Sequence, residues 1–167
     1  MNNLHLVPLV FIVILVGLLV LATLVARRQE IVLRVPARLE SVRLLTDLVT
    51  DLARRARLGE EAVFHCQLAM DEACTNIIKH AYANDPSGEI EMVLRIGNGE
   101  CEIQLVDFGE PYDPERVPPP QKASSIEDAR PGGLGLYLIR NVMDEVRYIP
   151  GPEGNRLVMV KRRTPGK

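Results

Sequence analysis

Apolar and polar residues alternate from Glu30 to Ala37 (EIVLRVPA), the pattern of a short strand ended by Pro36. The period then changes. From Arg38 to Arg57, apolar residues return at Leu39, Val42, Leu45, Leu48, Val49 and Leu52, the stripe of an amphipathic helix with a charged outer face. Gly59 breaks the run, and a second helical stretch extends from about Glu60 to Ala83, where the turn sequence NDPSG stops it. Alternation resumes in EIEMVLRIGNGECEIQLVDFG, two strands folded about Asn98-Gly99, a pair suited to a tight hairpin turn. Beyond Gly109 the periodicity collapses into EPYDPERVPPPQKASSIEDARP, too rich in proline and charge to build a core, which reads as a long mobile loop over about residues 110–131. A helix after GGLGL to about Met143, the strand EVRYI, a Gly/Pro turn and the strand NRLVMVKR complete the chain. The order β, α, α, β, β, loop, α, β, β predicts an α+β two-layer sandwich, a mixed, mainly antiparallel sheet with helices on one face, in one domain over residues 30–163.

The N-terminal segment has another character. Leu6 to Ala26 contains no charged residue, and at helical rise it would span roughly 30 Å, the thickness of a bilayer's hydrocarbon core. Arg27 and Arg28 follow, and no lysine or arginine precedes it. The pattern predicts a single-pass anchor within residues 1–28, crossing the cytoplasmic membrane through residues 6–26 with the folded domain in the cytoplasm. A cleaved signal peptide fits less well, because there is no basic n-region and the run is long. A misassigned start codon would also account for the run.

Charge and cysteine content narrow the chemistry. The 167 residues carry a formal net charge of −2, which implies no basic face and argues against direct nucleic-acid binding. Cys66, Cys74 and Cys101 have no CxxC spacing and no histidine at zinc-site distance, so they read as reduced core thiols.

Three segments hold candidate chemistry. In DEACTNIIKHAY, Glu72 and Asn76 are four apart and Lys79 three further, which stacks them on one helix face. Glu72 suits a general base, the Asn76 amide oxygen suits magnesium, and Lys79 suits a phosphate. The same spacing also describes an ordinary solvated stripe. In VDFGEPYDP, Asp107 ends a strand where a carboxylate can accept from an exocyclic amine, and Gly109 lets a flat ring approach the backbone. A simple strand-ending turn would look alike. In PGGLGLYLIRNVMDEV, Gly132, Gly133, Leu134 and Gly135 open a helix with accessible amides that suit phosphate. This is neither a Walker A motif nor a dinucleotide-binding fingerprint.

Together and in this order, DEACTNIIKHAY, DFGEPYDP, GGLGLYLIRNVMDEV and GNRLVMVKR resemble the N box, G1 box, G2 box and final strand of the GHKL ATPases, and within them the anti-sigma-factor serine kinases of the RsbW type. The resemblance implies the Bergerat, or histidine-kinase-like ATPase, fold, binding ATP with Mg²⁺ beneath a lid. It implies Glu72 as catalytic base, Asn76 as magnesium ligand, Asp107 with Gly109 as reader of the adenine amine, and Gly133 and Gly135 on the phosphate-covering loop. It also implies two partners: a sigma factor, and an anti-anti-sigma protein of STAS fold phosphorylated on Ser or Thr. A homodimer is compatible with it, with no surface indicated. Asn155 and Arg156 depart from the family, standing where many members have a nucleotide-binding threonine.

Two functions stay open at this level: a membrane-tethered protein serine/threonine kinase acting as an anti-sigma factor, and a non-catalytic, ATP-dependent partner-binding module at the membrane. A histidine-kinase catalytic domain is disfavoured, since the helix at 38–57 has no histidine to phosphorylate.

Overall fold

The computed structural model describes residues 12, 14–18, 29–97, 99–111 and 134–163. Strand β1 spans Gln29–Pro36, helix α1 Leu39–Arg55 and helix α2 Glu60–Asn76, which continues as a single π-helical turn, Ile77–Ala81. Strands β2 (Glu89–Gly97) and β3 (Glu100–Asp107) form the expected hairpin, followed by helix α3 (Leu134–Val142) and strands β4 (Glu145–Ile149) and β5 (Asn155–Arg162). The element order matches the periodicity, and EVRYI and NRLVMVKR coincide with β4 and β5. The second helix differs: its last turn widens to π geometry, with the Tyr82 N–H donating to Ile77 O at 3.2 Å.

The five strands lie in the order β1-β2-β3-β5-β4, and every pairing among the described residues is antiparallel. The expected mixed sheet is thus corrected to an antiparallel one. Its connections are two hairpins, β2-β3 and β4-β5, a helical excursion from edge strand β1 to its neighbour β2, and a crossover from β3 to the other edge strand, β4, none of which makes a parallel pair.

Register divides the sheet into two faces. The helix-facing side carries successive cross-strand rows: Ile96, Cys101 and Lys161; Leu94, Ile103 and Met159; Met92, Leu105 and Leu157; and, at the far end, Ile90, Asp107 and Asn155. The middle rows are apolar and join Leu45, Val49, Cys66, Met70 and Ile139 of the helices in one core. The opposite face mixes Val93, Val106, Val158 and Val160 with ion pairs. Arg95 bridges Glu30 on β1 at 2.5 Å and Glu102 on β3 at 2.7 Å, while Arg34 donates to Glu91 at 2.7 Å. Such exposed pairs contribute little individually and mainly keep the register.

Helix α2 lies between α1 and α3, and its buried residues are mostly small: Ala62, Val63, Cys66, Ala69, Ala73 and Cys74. Small side chains let the flanking helices approach closely. Gly59, at φ 91°, makes the turn into α2 in a backbone region that favours glycine. All three cysteines are free and buried. Burial, with Asp71 adding to it, pushes the Cys74 thiol up to about 12, and Cys101 is raised by its hydrogen bond with Cys66 and by burial, so neither is a ready thiolate.

The membrane assignment is corrected. Of the apolar run at 6–26, only residues 12 and 14–18 are described, and among the described residues no helix is long and apolar enough to cross a membrane. The anchor rested on an uncharged run of bilayer length followed by Arg27 and Arg28, and such a pattern does not by itself make a spanning helix. The lid expected over 110–131 falls almost wholly outside the described residues.

Candidate functional site

The site begins on α2, where neighbouring residues point in different directions because each step turns the helix by about 100°. Asp71 faces α1, accepting a 2.5 Å hydrogen bond from the Thr46 hydroxyl. Glu72, one residue on, faces α3. A Cβ built on Gly135 would lie 2.6 Å from Glu72 Oε2 and 2.9 Å from Asn76 Nδ2. The first turn of α3 therefore rests directly on the Glu72 and Asn76 side chains, and glycine leaves both undisplaced. The two half-buried groups meet there as their four-residue spacing implies.

At the other end, Asp107 closes β3 and is 5% exposed. Its Oδ1 accepts from Asn155 Nδ2 at 2.9 Å and from the Gly109 N–H at 3.1 Å. The second is the side-chain turn that aspartate forms two residues ahead of itself. Burial pushes the Asp107 carboxyl above the ordinary carboxylate range, against the pull of these two hydrogen bonds. Asn155 also donates to Gly109 O at 3.2 Å.

Between these ends lies a narrow, largely apolar pocket lined by Ala73, Asn76, Ile77, His80, Asp107 and Leu136, with Ile139 and Tyr148 among its other walls. Asn76 and Asp107 thus share one cavity. Its volume of about 50 Å³ holds little more than a water or two. A planar base enters only if α3 or the π-turn moves outward. A larger open groove, lined by Arg34, Tyr82, Glu89, Phe108 and Glu110, lies on the other side of the Asp107 turn and contains neither Glu72 nor Asn76. The narrow pocket, which has the convergent chemistry, is the better candidate.

The predicted residues do not all gather. Glu72, Asn76, Asp107 and Gly135 surround the pocket or its rim. Lys79 is exposed on the π-turn and does not line the pocket. Gly109 meets the protein rather than open space: an added Cβ would sit 2.3 Å from Ala81 O, so the π-turn makes the close approach. Leu134 is the first residue of α3, while Gly132 and Gly133 lie outside the described residues. Two further groups emerge. His80 lines the pocket, a place its four-residue spacing from Asn76 could have suggested. Asn155 holds Asp107, a pairing visible only once β3 and β5 are in register.

The donor set is of a kind that suits an adenine nucleotide, although the closed pocket is too small to hold one. The pocket joins the Asp107 carboxylate to the Asn76 amide, oxygens of the kind a base amine and a metal would take, and Gly135 lets α3 pack closely on Glu72 and Asn76. Among the described residues no cluster of three His, Cys, Asp or Glu side chains forms a metal cage. Magnesium would therefore be held largely by phosphate oxygens, the usual mode for a nucleotide-bound ion.

An antiparallel sheet backed by helices, with a carboxylate-amide pair on one helix and an aspartate-glycine turn opposite, defines a class. Residues 35–161 match the family model described as the histidine kinase-like ATPase domain, and the chain belongs to that family. At closer range it is similar to the Serine-protein kinase RsbW of Bacillus thuringiensis and to that of Bacillus cereus, each 32% identical over 139 residues, covering 81% of this chain and 86% of the relative. In fold it is similar to the structure of the RsbU and RsbW domains of a Mycobacterium tuberculosis protein, with a TM-score of 0.56 at 16% identity, covering 80% of this chain and 32% of that one.

Proposed function

We propose that this chain is an ATP-dependent protein serine/threonine kinase of the RsbW kind, an anti-sigma regulatory factor that phosphorylates a STAS-fold anti-anti-sigma protein and holds a sigma factor. The observation that carries the reading is one pocket lined by both Asn76 and Asp107, with Gly135 packed closely on Asn76 and Glu72 beside it. The similarity to serine-protein kinases supports it.

When bound, Mg-ATP supplies the γ-phosphoryl group and the metal charge that offsets it. Asp107 orients the base by accepting its amine hydrogen. Asn76 offers its side-chain oxygen to the metal. Glu72 takes the proton from the partner's Ser or Thr hydroxyl as that oxygen bonds to phosphorus and ADP leaves. The amides at Leu134 and Gly135, with those the resemblance assigns at Gly132 and Gly133, would donate to the phosphates, and Lys79 would add positive charge at the site's outer edge.

The test is transfer of label from γ-labelled ATP, with Mg²⁺, to a purified STAS-domain protein from the same organism. Label on a Ser or Thr of that protein is the expected result. A chain that binds both ATP and the partner yet moves no label would instead be a nucleotide-dependent binding module.

A further inference from the structure

We infer that Tyr82 is a positioning residue: its hydroxyl is inserted between β2 and β3 as the last rung of their ladder, and so holds the turn after Asp107 against the π-turn that continues from Asn76. The inference rests on the nucleotide reading above and adds to it a side chain that lies outside the candidate pocket.

Strands β2 and β3 keep one register from Gly97 and Glu100 at the hairpin to Ile90 and Asp107 at the far end. Hydrogen-bonded and non-hydrogen-bonded pairs alternate along such a ladder. Gly97 and Glu100 close a two-residue hairpin turn and so form a hydrogen-bonded pair. Counted from them, the pair beyond Ile90 and Asp107, which is Glu89 with Phe108, falls among the hydrogen-bonded ones. Its rung would be the Phe108 N–H donating to Glu89 O. Instead, the Phe108 N–H donates to the Tyr82 hydroxyl at 2.8 Å, and that hydroxyl donates to Glu89 O at 2.7 Å. A phenol serves both at once, with one hydrogen to give and lone pairs to accept. The strands are parted by one oxygen at the point where β3 leaves the sheet.

The hydroxyl is itself held in place. The Tyr82 N–H donates to Ile77 O at 3.2 Å, and the Tyr82 carbonyl accepts from the Asp85 N–H at 2.8 Å, so the backbone belongs to the end of the π-turn. The ring lies flat on buried Gly88, where an added Cβ would come within 2.5 Å of it. Next to this brace, the Glu110 N–H donates to Ala81 O at 3.2 Å. Phe108 and Glu110, on either side of Gly109, are thus tied to the consecutive residues Tyr82 and Ala81. Asp107 precedes the first tie and Asn76 precedes the π-turn, so the double attachment sets the distance between two walls of the pocket. Groups that bind one ligand together need such support to within about half an ångström.

Without the hydroxyl, the ladder can close by its own rung. The Phe108 N–H then reaches Glu89 O directly, which draws Phe108 toward β2 and turns Asp107 with it. Tyr82 is half-buried on the wall of the open groove, where water can satisfy either backbone group, so the fold loses little. The loss falls on the spacing between Asp107 and Asn76.

The test is a double-mutant cycle between Tyr82→Phe and Asp107→Asn, read by calorimetry of Mg-ATP on the full chain. Tyr82→Phe should weaken Mg-ATP by about five- to twentyfold, with melting little changed. In the Asp107→Asn background the same change should cost less than about twofold, because the displaced turn no longer carries the carboxylate. Gly88→Ala keeps the hydroxyl but forces the ring to move; it should show the same dependence on Asp107 and serves if Tyr82→Phe does not fold. Unchanged affinity in a variant that melts normally, or equal losses in both backgrounds, would overturn the inference while leaving the nucleotide reading intact. A wild type that does not bind Mg-ATP would overturn both.

Discussion

At the scale of the residue, the account depends on two side chains at opposite ends of one pocket. Asn76→Ala removes an oxygen from a metal that requires near-octahedral donors, and calorimetry with and without magnesium should show that ATP loses its magnesium-dependent affinity. Asp107 provides a second, signed expectation. Burial raises its carboxyl pKa, so the protonated form is favoured in the fold: the stability it contributes is full below the unfolded carboxylate value and is lost as pH rises through the folded one. Asp107→Asn should therefore leave the ligand-free protein as stable at neutral pH or slightly more so. The same change turns a pocket-facing acceptor into a donor, and ATP affinity should fall by roughly ten- to a hundredfold, or about 1.5–3 kcal/mol. In wild type, ATP affinity should drop as acidification protonates Asp107, at a pH above the ordinary aspartate range. A pH series of ATP titrations checks the direction. Glu72, Asn76 and Asp107 were legible in the sequence because helix spacing and strand-end position are local. Asn155 was visible only, with Arg156, as a departure from the threonine that many members have there, since its partner is 48 residues away and meets it through sheet register.

At the scale of the element, the decisive contact is α3 against α2. Gly135→Ala would force a methyl to 2.6 Å from Glu72 Oε2. The carboxylate is the movable end of a flexible side chain, so it should swing aside at little cost. Alanine also gains up to about 1 kcal/mol over glycine within a helix. Thermal melting should thus be unchanged or raised, while phosphoryl transfer falls at least about tenfold because Glu72 is displaced. The other end of α3 is fastened by Lys161, which is 9% exposed and whose Nζ donates to Val142 O at 2.7 Å and reaches Asp144 Oδ1 at 3.2 Å. Lys161→Met would leave a helix-terminal carbonyl without its donor, and chemical denaturation should show a loss of about 1–3 kcal/mol. The strands and α1 were readable because periods of 2 and 3.6 separate cleanly. The π-turn after Asn76 was not, because one widened turn changes no composition. It arises where Ala81 O packs against Gly109 and Tyr82 braces Phe108 N at 2.8 Å and Glu89 O at 2.7 Å, all contacts distant in sequence.

At the scale of the whole molecule, the antiparallel sheet serves as a rigid floor. Its apolar face holds the helices, and the row at one end brings Asp107 to the candidate pocket. Because ligand binding to the folded form adds directly to stability, Mg-ATP at about a hundred times its dissociation constant should stabilise the protein by about 2.7 kcal/mol, seen as a clear rise in melting temperature that ATP without magnesium does not reproduce. The central claim is that this scaffold positions Glu72 to activate a hydroxyl of a bound protein partner. The most direct test is the single-turnover rate of phosphate transfer from Mg-ATP to the STAS partner by wild type and by Glu72→Gln, which keeps the shape and removes the base. The account predicts unchanged binding of ATP and partner with transfer slowed by about 10² to 10⁴. Transfer at the wild-type rate in the variant would contradict it.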